Sequence, residues 1–116
     1  MTLPLPPADF ATEWAAAWND HDLPRILSHY AGDVRFRSTK AQQFAGQVEI
    51  AGKAGLSAYW QAALTAQPDL HFRVTECYRG PGVAVITYLN HDDVKTAETL
   101  VFGSDGLVSF GAACRA

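Results

Sequence analysis

The sequence predicts an α+β fold in which three N-terminal helices pack on the concave face of a curved, mostly antiparallel sheet, with an apolar pocket left between the two layers. Three observations carry this expectation. Apolar residues recur at helical spacing in two stretches near the N-terminus and again between residues 53 and 66. From Leu70 onward the chain reads as β-rich runs divided by turn signals. Hydrophobic residues make up 48% of 116 residues, enough to build a core within the usual size of one domain.

The first helix follows Pro6-Pro7, which ends a loose tail of residues 1–8. Phe10, Trp14, Ala17 and Trp18 stand at i, i+4, i+7 and i+8, one face of a helix. Asp9 and Glu13 lie near its start, where the helix dipole favours acids. Asn19-Asp20-His21-Asp22 breaks it. Asp22 is then an N-cap and Pro24 a first-turn residue for a second helix, with Leu23, Ile26, Leu27 and Tyr30 on its apolar face and Gly32 as its stop.

Val34-Arg35-Phe36-Arg37-Ser38 alternates apolar and charged residues, the mark of a half-buried strand. The stretch from Thr39 to Gly52 has no clear period and reads as a loop with room for a short strand; loops of this length are often functional lids. A third helix spans about Lys53 to Ala66, with Leu56, Tyr59, Trp60, Ala63 and Leu64 on its apolar face. Four strands follow, Leu70 to Arg79, Val83 to His91, Lys95 to Phe102 and Leu107 to Cys114. Gly80-Pro81-Gly82, Asp92-Asp93 and Gly103-Ser104-Asp105-Gly106 separate them into a meander.

Composition excludes several classes. There is no basic run or Lys/Arg stripe in a chain of net charge -3, so no nucleic-acid footprint is expected. No apolar stretch approaches the roughly 20 residues of a membrane span. The first residues lack the pattern of a signal peptide, which makes the cytoplasm the expected compartment. Cys77 and Cys114 form no CxxC and read as two reduced thiols. No two histidines share metal-ligand spacing, and neither a metal nor a cofactor is expected. His21 and His91 fall in turns and are expected in solvent, His71 on the outer face, and His29 is the histidine placed to reach the pocket mouth. Arg35, Arg37, Arg73 and Arg79 share outward parity. Charged residues are only 18%, below the roughly 25% typical of soluble domains, so apolar surface is expected to be shared in a homodimer formed through the sheet.

The order helix, helix, strand, long connection, helix, four-strand meander is distinctive. So are Trp18-Asn19-Asp20-His21-Asp22-Leu23, Tyr30-Ala31-Gly32-Asp33-Val34-Arg35-Phe36, the Tyr59-Trp60 pair after Gly52, and Thr99-Leu100-Val101-Phe102-Gly103-Ser104-Asp105-Gly106-Leu107-Val108. Together they resemble the NTF2-like superfamily and its SnoaL-like branch, across roughly Phe10 to Phe110. The resemblance implies the cone-shaped roll of that group. It does not imply one activity, because the group includes ketosteroid isomerase, polyketide cyclases, epoxide hydrolases and dehydratases, and function follows the site.

Ketosteroid isomerase uses an Asp base with an oxyanion hole of a tyrosine and a protonated acid. By the resemblance, Trp14 stands where that tyrosine would be, Ser38 where the base would be, and Glu98 where the buried acid would be. An indole cannot share a phenolic proton, and a lone serine is too weak a base for a carbon-bound proton. Two of three roles are missing, which argues against steroid isomerisation of that type. The epoxide hydrolases' Asp-Arg-Asp set also lacks its parts, since Glu98 is the one clear acid at an inward strand position.

Glu98 shares a face with Leu100 and Phe102 by strand alternation. A three-residue turn after His91 sets Tyr88 opposite Glu98; a two-residue turn sets Thr87 there. Burial among Ile86, Tyr88, Leu100 and Phe102 would raise the carboxyl's pKa and make it a proton donor. Its alternative role is structural, pairing with an arginine or bonding Tyr88. Trp14, Trp18, Tyr30, Phe36, Tyr59, Trp60, Phe72, Tyr88 and Phe102 fall on inward faces, and buried aromatics with polar tips need partners. The expected ligand site therefore combines Trp14, Trp18, Tyr30, Phe36, Ser38, Tyr59, Trp60, Phe72, Leu100 and Phe102, with Glu98 and Tyr88 as candidate catalytic groups. Its expected guest is a small hydrophobic or aromatic molecule. The alternatives are an acid–base isomerase, dehydratase or polyketide-cyclase-like enzyme using Glu98, and a dimeric interaction module with a vestigial pocket.

Overall fold

Helix α1 (Phe10–Asn19) forms where the apolar spacing places it and buries Phe10, Trp14, Ala17 and Trp18. The computed structural model describes residues 3–116. Met1 and Thr2 of the expected tail lie outside them. The rest of that tail runs beside the Gly80-Pro81-Gly82 turn: Gly82 N donates to Pro4 O at 3.0 Å, and Arg79 Nη1 donates to Pro6 O at 2.8 Å.

Asp22 caps α2 (Leu23–Leu27), accepting from Arg25 N at 3.3 Å, with Pro24 in the first turn as expected. The helix is only five residues long, however. Tyr30 and Gly32, expected on its face and at its end, belong to strand β1 (Tyr30–Arg37). The reason is a parallel pairing with β6 (Val108–Arg115) that captures the chain early: Val108 N donates to His29 O, and Tyr30 lies beside Val108. Gly32 falls inside a bulge, between the Tyr30–Val108 and Arg35–Phe110 pairs.

The stretch after β1 is more ordered than the loop expected from its sequence. It holds helix α3 (Thr39–Ala45) and short strand β2 (Glu49–Ala51). Ser38 supplies the N-cap by accepting from Ala41 N at 3.1 Å, and Gly46, at φ 73°, supplies the left-handed C-cap. Helix α4 (Lys53–Ala66) then buries the expected Leu56, Tyr59, Trp60, Ala63 and Leu64.

Strands β3 (Arg73–Gly80), β4 (Val83–Leu89), β5 (Lys95–Phe102) and β6 form the meander. The six-stranded sheet runs β2-β1-β6-β5-β4-β3, antiparallel except for β1 with β6. The helices cover one face of this curved, open sheet, as the α+β expectation required. Arg35, Arg37, Arg73 and Arg79 are exposed on their strands, Arg35 and Arg37 closing on Glu49 at 2.6 and 2.8 Å.

The core between the layers is aromatic, and Trp60 is its hub. Its ring meets Trp18 and Tyr30 at 4.9 Å and Phe36 at 5.5 Å, all near edge-to-face, the arrangement favoured by ring quadrupoles. Phe36 can lie across β6 because position 111 is glycine: a Cβ there would come within 2.8 Å of its ring.

Candidate functional site

Glu98 is the buried charged-type side chain of the core, 4% exposed at the middle of β5. Its cross-strand partner is Ile86, and Tyr88 pairs with Thr96. Both register expectations are thus corrected: the β4–β5 connection spans Asn90 to Val94, where the Asn90 side chain accepts from Asp92 N and Val94 N and sets a longer turn. The register differs by two residues from the one that put Tyr88 opposite Glu98, and a shift of two preserves the face. Tyr88 therefore still reaches Glu98 diagonally, its hydroxyl donating to Glu98 Oε2 at 3.2 Å.

Burial pushes the Glu98 carboxyl up to about 8, against a smaller downward effect of the Tyr88 hydrogen bond. At neutral pH this group is mostly a neutral acid. Burial also raises the phenols around it. Tyr59 is pushed to about 12, and Tyr88 and Tyr30 are raised well above the usual range, with the Glu98 charge adding to each.

A cavity of about 80 Å³ opens beside this acid. Its inner wall is Trp18, Phe36, Trp60 and Phe72, and Glu98, Tyr88, Tyr59 and Ser38 supply polar atoms. Ser38 and Tyr59 share a hydrogen bond at 3.0 Å, so the serine both caps α3 and orients the phenol. Among the expected site residues, these eight come together. Trp14, Tyr30, Leu100 and Phe102 do not line the cavity; they pack behind it. Trp14 Nε1 donates to Tyr30 Oη at 3.3 Å inside the core, both residues being at most 1% exposed, while Leu100 and Phe102 lie further along β5. Strand parity put Leu100 and Phe102 on the inward face, where they lie, but parity does not resolve which end of the face is hollow.

The mouth is built by residues that the sequence reading did not select: Lys40 from α3, Gln67 after α4, Asn90 and His91 from the β4–β5 turn, and Thr96, Cys114 and Arg115 from the strand ends. Lys40 Nζ donates to Gln67 Oε1. Ser38 and Gly46, bracketing seven residues, were the signal for α3 and hence for Lys40. His91 is not solvated as expected. Its side chain is 11% exposed and its Nδ1 is buried without a partner among the described residues. His21, also expected in solvent, has Nε2 2.8 Å from Leu70 O. His29 lies against Phe10 at 5.4 Å, away from the mouth.

The Trp18 indole N–H is likewise buried without a partner among the described residues. Leaving such a donor unsatisfied costs about 1–3 kcal/mol. Wall and acid together can hold an apolar body and donate hydrogen bonds to one or two acceptors on it. Among the described residues, no three His, Cys, Asp or Glu side chains gather to hold a metal, and no helix is long and apolar enough to cross a membrane.

The family model for the SnoaL-like domain matches residues 11–110. A SnoaL-like protein of unknown function from Burkholderia thailandensis is 37% identical, with a TM-score of 0.88 over 93% of this chain and 92% of that one. TerC, co-crystallised with polyporic acid, is 14% identical, with a TM-score of 0.75 over 90% and 87%. An NTF2-like protein of unknown function from Burkholderia pseudomallei is 16% identical, with a TM-score of 0.73 over 90% and 86%. The last two resemblances are of fold alone. No curated protein matches the chain.

Proposed function

Because this chain belongs to the SnoaL-like domain family, with its acid and aromatic wall around a cavity, we propose that it is a small-molecule-binding domain for an apolar or aromatic guest carrying one or two polar groups. The observation that carries this reading is the meeting of a 4%-exposed Glu98, hydrogen-bonded by Tyr88, with an open cavity walled by Trp18, Phe36, Trp60 and Phe72. Volume limits the guest. An apolar cavity of ~150 Å³ takes a benzene ring, and sites for drug-sized ligands run to ~300–1,000 Å³. At about 80 Å³, this cavity receives only part of one ring, and the remainder of the guest lies in the mouth. Trp18, Phe36, Tyr59, Trp60 and Phe72 pack on the apolar part, while Glu98, Tyr88 and Ser38 meet its polar atoms.

Calorimetric titration with phenol tests this, run on the natural chain and on Ala63→Leu, which fills the lining at α4. Saturable heat lost in a folded Ala63→Leu supports the site. Equal heats in both, or none in the natural chain, reject it.

A second reading makes Glu98 a proton donor in an isomerisation, dehydration or cyclisation, with Tyr88 beside it. It is favoured by the neutral state that burial gives this carboxyl up to about pH 8. Glu98→Gln keeps shape and neutrality but cannot give up a proton, so turnover of any substrate found must fall at least a hundredfold.

The domain is further proposed to pair with a second copy through the outer sheet face, where Tyr78 and Val101 are exposed at 57% and 38%, and to act in the cytoplasm, where Cys77 and Cys114 stay as free thiols. A monomer in light scattering at micromolar concentration rejects the pairing.

A further inference from the structure

The cavity's inner wall and its mouth differ in charge. Inside, the one carboxyl is Glu98. At the mouth stand Lys40 and Arg115, from α3 and from the last residue of β6. The ion pairs among the described residues are Arg25 with Glu13 and Asp20, Arg35 and Arg37 with Glu49, and His91 near Asp69 and Asp92. Lys40 and Arg115 take part in none.

We infer that the mouth is an anion site, in which Lys40 and Arg115 hold the carboxylate of a one-ring acid whose ring enters the aromatic cavity. This rests on the reading of the cavity as a ligand site and specifies the class of guest.

The charges around the cavity support it. Two cations facing one cavity without a carboxylate partner repel each other, and a bound anion relieves that repulsion. The repulsion is already felt at Lys40, whose ammonium is destabilised by burial and then by Arg115, with Asp92 acting weakly in the other direction. The nearby acids pair with neither cation: Asp69 and Asp92 lie 3.7 and 3.6 Å from His91 Nε2, with side chains 75% and 71% exposed. Inside, Glu98 is mostly neutral at pH 7, so it does not oppose an anion at the mouth. The whole chain carries -3, so a preference for anions would be a property of this mouth and not of the protein's overall field.

Geometry fits the same guest. The cavity of about 80 Å³ takes the inner part of one ring, which leaves a carboxylate attached to that ring at the mouth. Lys40 is held there by its bond to Gln67, and Arg115 presents the planar fork that matches a carboxylate.

The test is calorimetric titration at pH 7 with benzoate and with benzamide, which share size and shape and differ in charge. Benzoate is expected to bind at least tenfold more tightly. That ratio is expected to fall to about one in Lys40→Gln/Arg115→Gln, checked for folding by circular dichroism. It is expected to persist in Lys53→Gln, which removes a cation outside the cavity. Equal affinity of the two compounds for the natural chain, or a ratio that survives the double variant, overturns the anion site and leaves the binding cavity standing. Failure of both compounds to bind rejects the cavity as a site for such rings and the anion site with it.

Discussion

The Tyr88 hydroxyl donates to Glu98 Oε2 across 3.2 Å although the two residues are not cross-strand partners. The bond runs diagonally along the inner face of β4 and β5, with Ile86 opposite the acid. It leaves Glu98 with one protein donor and no cation, so desolvation dominates and the carboxyl stays neutral into the alkaline range.

That neutrality has a pH signature in stability. The folded value of about 8 lies above the ordinary 4.5, so the unfolded chain loses this proton first. Stability from Glu98 is fully present below about 4.5 and is lost as pH rises to about 8, at up to about 1.4 kcal/mol per pH unit. Urea unfolding of the natural chain and of Glu98→Gln between pH 5 and 8 reads this directly. The variant is expected to gain relative stability steadily across the window. A difference independent of pH would show that the carboxyl ionises normally.

Gly111→Ala tests how tightly the wall is built. A methyl group there meets Phe36 Cδ2 at 2.8 Å and Leu100 Cδ2 at 3.2 Å, so ring or strand must shift. The expected cost is about 1–3 kcal/mol by thermal or urea denaturation. Phe36→Leu in the same background should recover part of it.

Ser38→Ala removes two roles at once, the cap of α3 and the bond that orients Tyr59. Loss of the cap costs about 1 kcal/mol. Hydrogen exchange should quicken at Ala41 and through α3 ahead of α4 and the sheet. Uniform change across the chain would mean that α3 does not open separately.

Trp60→Ala deletes the ring on which Trp18, Tyr30 and Phe36 converge, at an expected cost of about 3–5 kcal/mol. The enlarged hollow should then accept a neutral ring. Saturating toluene is expected to raise the variant's melting temperature more than the natural chain's, by mass action on the folded state.

Much of this was legible in the sequence, and the limits have physical causes. Helical spacing found α1 and α4 because each has a continuous apolar stripe against the sheet. It placed Tyr30 in a helix because i+7 after Leu23 satisfies helical spacing, while the pull of β6, 78 positions on at Val108, leaves no local trace. Alternation put Glu98 and Tyr88 on one face, and that survived a wrong register because a two-residue error preserves parity. The same parity could not separate the hollow end of the face, by Trp18 and Phe72, from the filled end, by Leu100 and Phe102. The mouth was missed for a related reason: Lys40 in α3, His91 in the β4–β5 turn and Arg115 at the end of β6 are brought together only by the folded sheet.

The three tryptophans allow the most direct test of the ligand site. Trp18 and Trp60 line the cavity, and Trp14 is packed behind it against Tyr30. In a ¹⁵N-labelled sample titrated with phenol, the indole N–H signals of Trp18 and Trp60 should move and saturate together, Trp18 the more because its N–H has no partner among the described residues, while that of Trp14 stays in place. Three unmoved signals, or equal movement of all three, would contradict a guest seated beside Glu98.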